Sequence, residues 1–490
     1  MSNAYGIYIK FLNSLTTRVF GNRADLKFEL KKIAIARAFL SGFSIYKTLQ
    51  NLTDYIAIND ISGVASFDLS VWLLLSLIAA STLTFFGLLT TVSALLMAIL
   101  SYWSDHNLGI NGLGSAAFAN VTLIIILTPS GQYYSLDKKL GLSTKKFLRL
   151  KTRCSHNYII QTYVVAFLIF CATNLASAIG HLMNDHWVNL TAIQKTLENP
   201  FYSVFYEFFA RLSKLNEPFW GFVTKLLTLM QLIWQIMMLP LVMWYPSRLF
   251  VILWGFAFFL ISEFCLHLGF LDKWLLCFWI LVFLPSPNDL RLSSKEALHH
   301  QRTVFNKFTL FPHLITLPFF FSFFIATCST AYTIKESAAA LSIKSRTFQI
   351  KERIPQSTLA LYDFASIAGL IAPNVFNKKD MDAAYLFAVL EKSQSTSEIW
   401  ELVPFIDHDG SRLEMHTSDL VRYQISIPLR RCLQTEKWKD CLSLAAPIIR
   451  LNDLVAGAKY RIKIIDSTNK KTTIFALPVN AIYKTAQISI

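Results

Sequence analysis

Charge is what this chain lacks most. Only 16% of its 490 residues are Asp, Glu, Lys or Arg, against about 25% in ordinary soluble domains. Much of its surface must therefore meet something other than water. Paired thiol motifs are also missing. The seven cysteines, Cys154, Cys171, Cys265, Cys277, Cys328, Cys432 and Cys441, form no CxxC, which leaves zinc and thioredoxin-like sites without support. There is no Gly-rich phosphate loop and no GxSxG, so phosphate cradles and hydrolase elbows have no starting motif. Polar and basic residues run through Lys32 with no apolar core and cleavage site behind them, which is not how a signal peptide reads.

Hydrophobic residues fill the gap, at 54%, with 40 Phe and 11 Trp. About 20 mostly apolar helical residues cross a bilayer. Leu69–Leu89, Tyr158–Ile179 and Leu314–Tyr332 meet this with no charge, while Phe219–Trp244 contains only Lys225 and Leu249–Phe270 only Glu263. Shorter runs at Thr91–Trp103, Ser115–Leu127 and Trp274–Leu284 are expected to cross too. Ile33–Leu49, carrying Arg37 and Lys47, is the weakest candidate. Counting it gives about nine spans in an all-α polytopic bundle.

The formal charge of +15 does not point to nucleic acid, because it sits in short segments beside the apolar runs. Basic residues precede the first span and fill 131–157 and 286–311, whereas 51–68 and 104–114 contain no Lys or Arg. That alternation follows the positive-inside rule. It places the N-terminus in the cytoplasm and everything after Tyr332 outside. An interfacial first segment is the alternative, and it leaves the alternation unexplained. The resulting domains are a cytoplasmic segment 1–27, a transmembrane domain 28–336 and an extracytoplasmic strand-rich (β or α+β) domain 345–490.

In that last domain apolar and polar residues alternate at a period of two, the pattern of half-buried strands. Ala384–Leu390, Ile399–Ile406 and Leu413–His416 read as strands, and Lys459–Ile465 with Thr472–Val479 as a hairpin. Thr435 is placed to cap a helix from Glu436 to about Arg450. Cys432 and Cys441 could close a short disulfide on an oxidising face or remain separate thiols.

Ionisable groups within spans are functional candidates by default. The topology brings such groups from three spans to the outer level: Asp105 and His106; His181, Asp185, His186 and Trp187; and Glu263 and His267. Glu263 and His267, four apart, would share one helical face, and a carboxylate beside an imidazole suits proton transfer near neutral pH. Self-neutralisation between helices is the competing reading. His181 and His186 are five apart, which misses the four-residue step of HExxH metal helices, so no metal site is expected. His181, His267 and Glu263 are the catalytic candidates. Arg37, His106, His186 and Trp187 are the binding candidates, Arg37 for a carboxylate or lipid phosphate.

Taken together the spans resemble the HTTM family, which includes the membrane part of vitamin K-dependent gamma-carboxylase. The likeness rests on Ile33–Leu40 (IAIARAFL) with its Arg37, on Leu127–Asp137 (LTPSGQYYSLD), and on Ala176–Trp187. Ser247-Arg248, His267-Leu268-Gly269 and Phe283-Leu284-Pro285 extend it, so that residues 28–290 are covered. The resemblance implies a helical domain followed by a strand-rich domain on the lumenal or periplasmic side. Carboxylase members place a catalytic Lys shortly before the Trp. Here those places hold His181 and Leu182, so His181 is left as a different base, while His267 matches the family's late-helix His. Two functions follow as expectations. One is a membrane factor assisting maturation, modification or export of a secreted polypeptide. The other is a membrane enzyme using outer-face His residues on a lipid-soluble or peptide substrate, with its cofactor unknown.

Overall fold

The computed structural model describes residues 25–61, 68–108, 113–141, 156–182, 185–199, 202–266, 268–287, 386–393, 399–402, 459–466 and 472–477, with 11, 14–16 and 18–20. The expected span Leu314–Tyr332, the strand Leu413–His416, the helix Glu436–Arg450, and Cys432 and Cys441 lie outside the described residues.

The first described helix, α1 (Leu26–Ile61), is capped by Asp25, whose carboxylate accepts the Phe28 N–H at 2.9 Å. At 1.5 Å per residue its 36 residues extend about 54 Å, well beyond the roughly 30 Å hydrocarbon core. The next helix, α2 (Leu69–Phe86), contains no charge. Asp68 closes its N-terminus by accepting from the Ser70 and Val71 N–H groups, and Gly87 ends it in the left-handed conformation at φ 66°. Glycine takes that backbone without a Cβ penalty. Then come α3 (Thr90–Asn107), α4 (Leu113–Leu127) and the single turn α5 (Leu136–Lys139), started by the Ser135 hydroxyl.

The helix α6 (His156–Leu182) is apolar nearly all round, as a helix enclosed by others must be. Tyr163, Val164, Phe167 and Phe170 are buried along it. Three short helices follow, α7 (Asp185–Val188), α8 (Ala192–Leu197) and α9 (Tyr206–Leu215). The long pair α10 (Glu217–Met243) and α11 (Tyr245–Cys265) precedes α12 (Leu271–Phe283). Neighbours in sequence pack from α1 through α4, and α12 closes the bundle against α4, α11 and α1 while α6 packs on α4 and α10.

Among the described residues four helices are long and apolar enough to cross a membrane: α2, Tyr158–Ile179 of α6, α10 and α11. Their outward sides are apolar, with Trp72 59%, Phe222 66%, Leu253 57% and Phe264 65% exposed. Hydroxyls and amides such as Ser81, Thr84, Thr224 and Gln231 are instead buried. An apolar exterior around polar interior groups suits a bundle whose solvent is lipid. The interior hydroxyls are satisfied locally: Thr84 donates to Ala80 O at 2.8 Å and Thr224 to Trp220 O at 2.9 Å, the back-bonding usual for helical threonine.

Aromatic rings hold α6, α10, α11 and α12 together. Trp234 donates its indole N–H to Val251 O at 3.1 Å, and Trp279 to Ile252 O at 2.9 Å. Gly255 makes room for this packing, since a Cβ there would lie 2.4 Å from Trp279 Cζ2.

Four strands, β1 (Leu386–Ser393), β2 (Glu401–Leu402), β3 (Lys459–Asp466) and β4 (Thr472–Leu477), form an antiparallel sheet in the order β2-β1-β3-β4. β3 and β4 pair from Tyr460↔Leu477 to Ile465↔Thr472, over the two stretches that alternation marks as a hairpin. Arg461 lies over the Trp400 ring at 4.0 Å.

Candidate functional site

The described sequence-predicted residues fall at four places rather than in one cluster. The ion pair Lys47–Asp105 joins the middle of α1 to the C-terminal turn of α3 with both N–O distances at 3.2 Å. Lys47 is 9% and Asp105 5% exposed. The lysine that made the first span doubtful is therefore neutralised by an aspartate 58 positions along the chain. His106 lies on α3, and its side chain is outside what the structure describes.

The expected Glu263–His267 pair requires correction. Helix α11 ends at Cys265, and Leu266 is already extended at φ −121°, ψ 144°, forming an isolated bridge with Ser203. A four-residue step across that end is no longer one helical turn. Glu263 instead pairs with Lys273 of α12 at 2.6 Å. His267 lies outside the described residues.

Arg37 also differs from expectation. It is fully buried, and its guanidinium donates from Nη1 to Ser130 O at 2.9 Å and from Nη2 to Tyr134 O. Both carbonyls belong to the turn after α4, so the Arg37 fork holds this chain's own backbone, not a partner's carboxylate or a lipid phosphate. Asp137 ties the same turn to the α2–α3 corner, accepting from Leu89 N at 2.7 Å, Thr90 N at 2.9 Å and Thr90 Oγ1 at 2.7 Å. Gly131 completes the fit, because a Cβ there would sit 2.7 Å from Thr90 Oγ1. The segment Leu127–Asp137 is thus a structural plug.

His181 is the candidate around which the structure builds a site. It occupies the last turn of α6 and is 5% exposed, so it is enclosed rather than emerging at a surface. Its ring stacks on Trp187, with centroids 4.0 Å apart and planes 6° from parallel. Trp187 is held on α7 by packing with Ala192 and Leu232. The imidazole Nδ1 lies 3.1 Å from Gln235 Oε1 on α10. An amide oxygen only accepts, so this bond is made when Nδ1 carries the hydrogen. His186, half-buried on α7, does not line the cavity beside His181.

That cavity, of about 120 Å³, lies between α4, α6, α10, α11 and α12. Asn120, Asn174, Gln231, Gln235 and Asp272 reach it with His181, against walls that include Phe170, Trp234 and Phe259. Gln235 is 18 residues into α10, or about 27 Å from its start. The site thus reaches the interior of the bundle instead of capping its end. Only His181 was singled out from sequence. The amides carry no charge and escaped a search for ionisable groups, although Gln231 and Gln235, one turn apart inside an apolar run, were a readable signal. Among the described residues no group of three or more His, Cys, Asp or Glu is placed to hold a metal ion.

Comparison with known proteins gives no matching family model, no matching curated protein and no matching solved structure.

Proposed function

We propose that this chain is an HTTM-like multi-pass membrane protein that assists the maturation, modification or export of a partner polypeptide at the outer face of a bacterial inner membrane. Its N-terminus is cytoplasmic, its nine spans include α1, α3, α4 and α12 beside the four longest apolar helices, and residues 345–490 form an extracytoplasmic strand-rich domain. The observation that carries this reading is the cavity at His181, where Asn120, Asn174, Gln231, Gln235 and Asp272 line an otherwise apolar space inside the bundle. Ionisable and polar side chains inside lipid-facing bundles are costly and persist where they serve function. The alternation of basic and non-basic loops supports the orientation. An alkaline phosphatase fused after Ile490 is expected to be active in whole cells. Activity only of a cytosolic reporter at that position overturns the orientation.

A second reading is favoured by one contact. Gln235 holds the His181 ring through Nδ1, as a positioned general base requires. In that reading the protein is a membrane enzyme acting on a lipid-soluble or peptide substrate. His181→Ala separates the two. If the protein only assists, loss of the imidazole leaves the partner's processing, followed by mass spectrometry of secreted polypeptides, unchanged at equal membrane abundance. If His181 is the base, processing falls by roughly 10²–10⁴-fold, the range of general-base contributions. Processing that is normal without the whole protein rejects both.

A further inference from the structure

We infer that the cavity beside His181 binds a neutral carboxamide group, carried either by a small amide or by an amide side chain of a polypeptide. The inference rests on the reading of this cavity as the working site and names what enters it. Four lining amides are nine-tenths buried or half-buried and retain hydrogen-bonding capacity among the described residues. Gln231 accepts from the Trp254 indole at 3.1 Å through Oε1, and Gln235 offers its Oε1 to His181, so each has an amide N–H₂ to spare. Asn174 donates its Nδ2 to Phe170 O at 2.9 Å, which keeps Oδ1 as an acceptor. Asn120, 6% exposed, spends neither end of its amide in the described structure.

Polar groups enclosed in an apolar surrounding are normally hydrogen-bonded, because leaving them unmet is costly. The donors of Gln231 and Gln235 ask for a carbonyl oxygen, and Asn174 Oδ1 asks for an N–H. One planar carboxamide supplies both. A carboxylate supplies the acceptor but has no N–H for Asn174 Oδ1. An ammonium donates to Asn174 Oδ1 yet leaves both glutamine donors unanswered. The apolar faces of Phe170, Trp234 and Phe259 fit the short carbon stem behind such a group. A cavity of about 120 Å³ has room for a group of a few heavy atoms.

The test is saturation-transfer NMR on the full-length protein in detergent micelles, with propionamide, propionate and propylammonium as isosteric probes. Propionamide is expected to receive saturation and the two ions little. Gln231→Met and Asn174→Leu are each expected to weaken it by roughly fivefold, the loss of about one hydrogen bond. Equal or stronger binding of either ion overturns the inference, and does so with the unaltered protein even where a variant fails to fold. Unchanged binding in both folded variants overturns it as well. A capped Gly-Gln-Gly peptide then identifies the source. Binding at least tenfold tighter than propionamide assigns the group to a polypeptide. Binding no tighter assigns it to a small amide, which upholds the carboxamide site while removing the polypeptide partner from it.

Discussion

Lys47→Met is expected to lower the melting temperature of the detergent-solubilised protein by roughly 10 °C, and Lys47→Met combined with Asp105→Leu to recover most of that loss. Lys47 and Asp105 bridge α1 and α3 through two 3.2 Å contacts at sites 9% and 5% exposed. Removing one member of a buried ion pair typically costs about 3–5 kcal/mol, because the remaining charge keeps its desolvation penalty without its partner. Replacing both by apolar groups removes the penalty with the attraction, and is often neutral. Each kcal/mol moves the midpoint by roughly 2–4 °C in domains of 150–250 residues, which sets the scale. Heating followed by gel filtration of the surviving monodisperse protein measures it. A single variant as stable as the parent would show that the pair carries no structural weight.

Gly87→Val is expected to abolish recovery of folded protein. Gly87 sits at φ 66°, where a side chain costs about 1–2 kcal/mol from backbone crowding alone. Space is the larger obstacle, since a Cβ there would lie 2.3 Å from Arg37 Nη1 and 2.6 Å from Ser135 Cβ. Neither neighbour has room to yield: Arg37 is fully buried and bound to Ser130 O, and Ser135 caps α5. Gly141→Ala is the matched control, with φ 62° and nothing within 4 Å of an added Cβ. It carries the backbone cost without the collision, so it is expected to fold with a small loss of stability. Equal yields from Gly87→Val and Gly141→Ala would refute the steric argument.

These two sites show which parts of the architecture were legible in sequence. Helices α2, α6, α10 and α11 were read directly, because long apolar runs need no knowledge of neighbours. Helix α1 was harder. Its Arg37 and Lys47 look unfavourable for a span until their partners are known, and before that span Glu29 and Lys32 pair with each other at 2.8 Å. Glu29 meets Tyr163 at 2.9 Å, Lys32 meets Leu284 O at 2.8 Å, and the others meet Ser130, Tyr134 and Asp105. No local pattern encodes contacts between residues 58 to 252 apart.

The site was legible only in part. His181 was found because it titrates and ends an apolar run. Arg37 was named as a binding residue for the same reason, and its carbonyl partners make it structural instead. The Glu263–His267 pairing assumed a helix continuing through Phe270, whereas α11 stops at Cys265 and Lys273 arrives from the next helix. The cavity amides required the fold itself, since they come from α4, α6 and α10.

The Arg37 clamp also dictates an order of events during synthesis. Its acceptors lie 93 and 97 positions downstream, so α1 leaves the ribosome long before the guanidinium can be satisfied. At about 5–20 residues per second the wait is on the order of ten seconds. Throughout it the Arg37 guanidinium lacks both carbonyls that hold it in the folded chain. The helix therefore reaches its final packing only once the turn at Ser130 has been made.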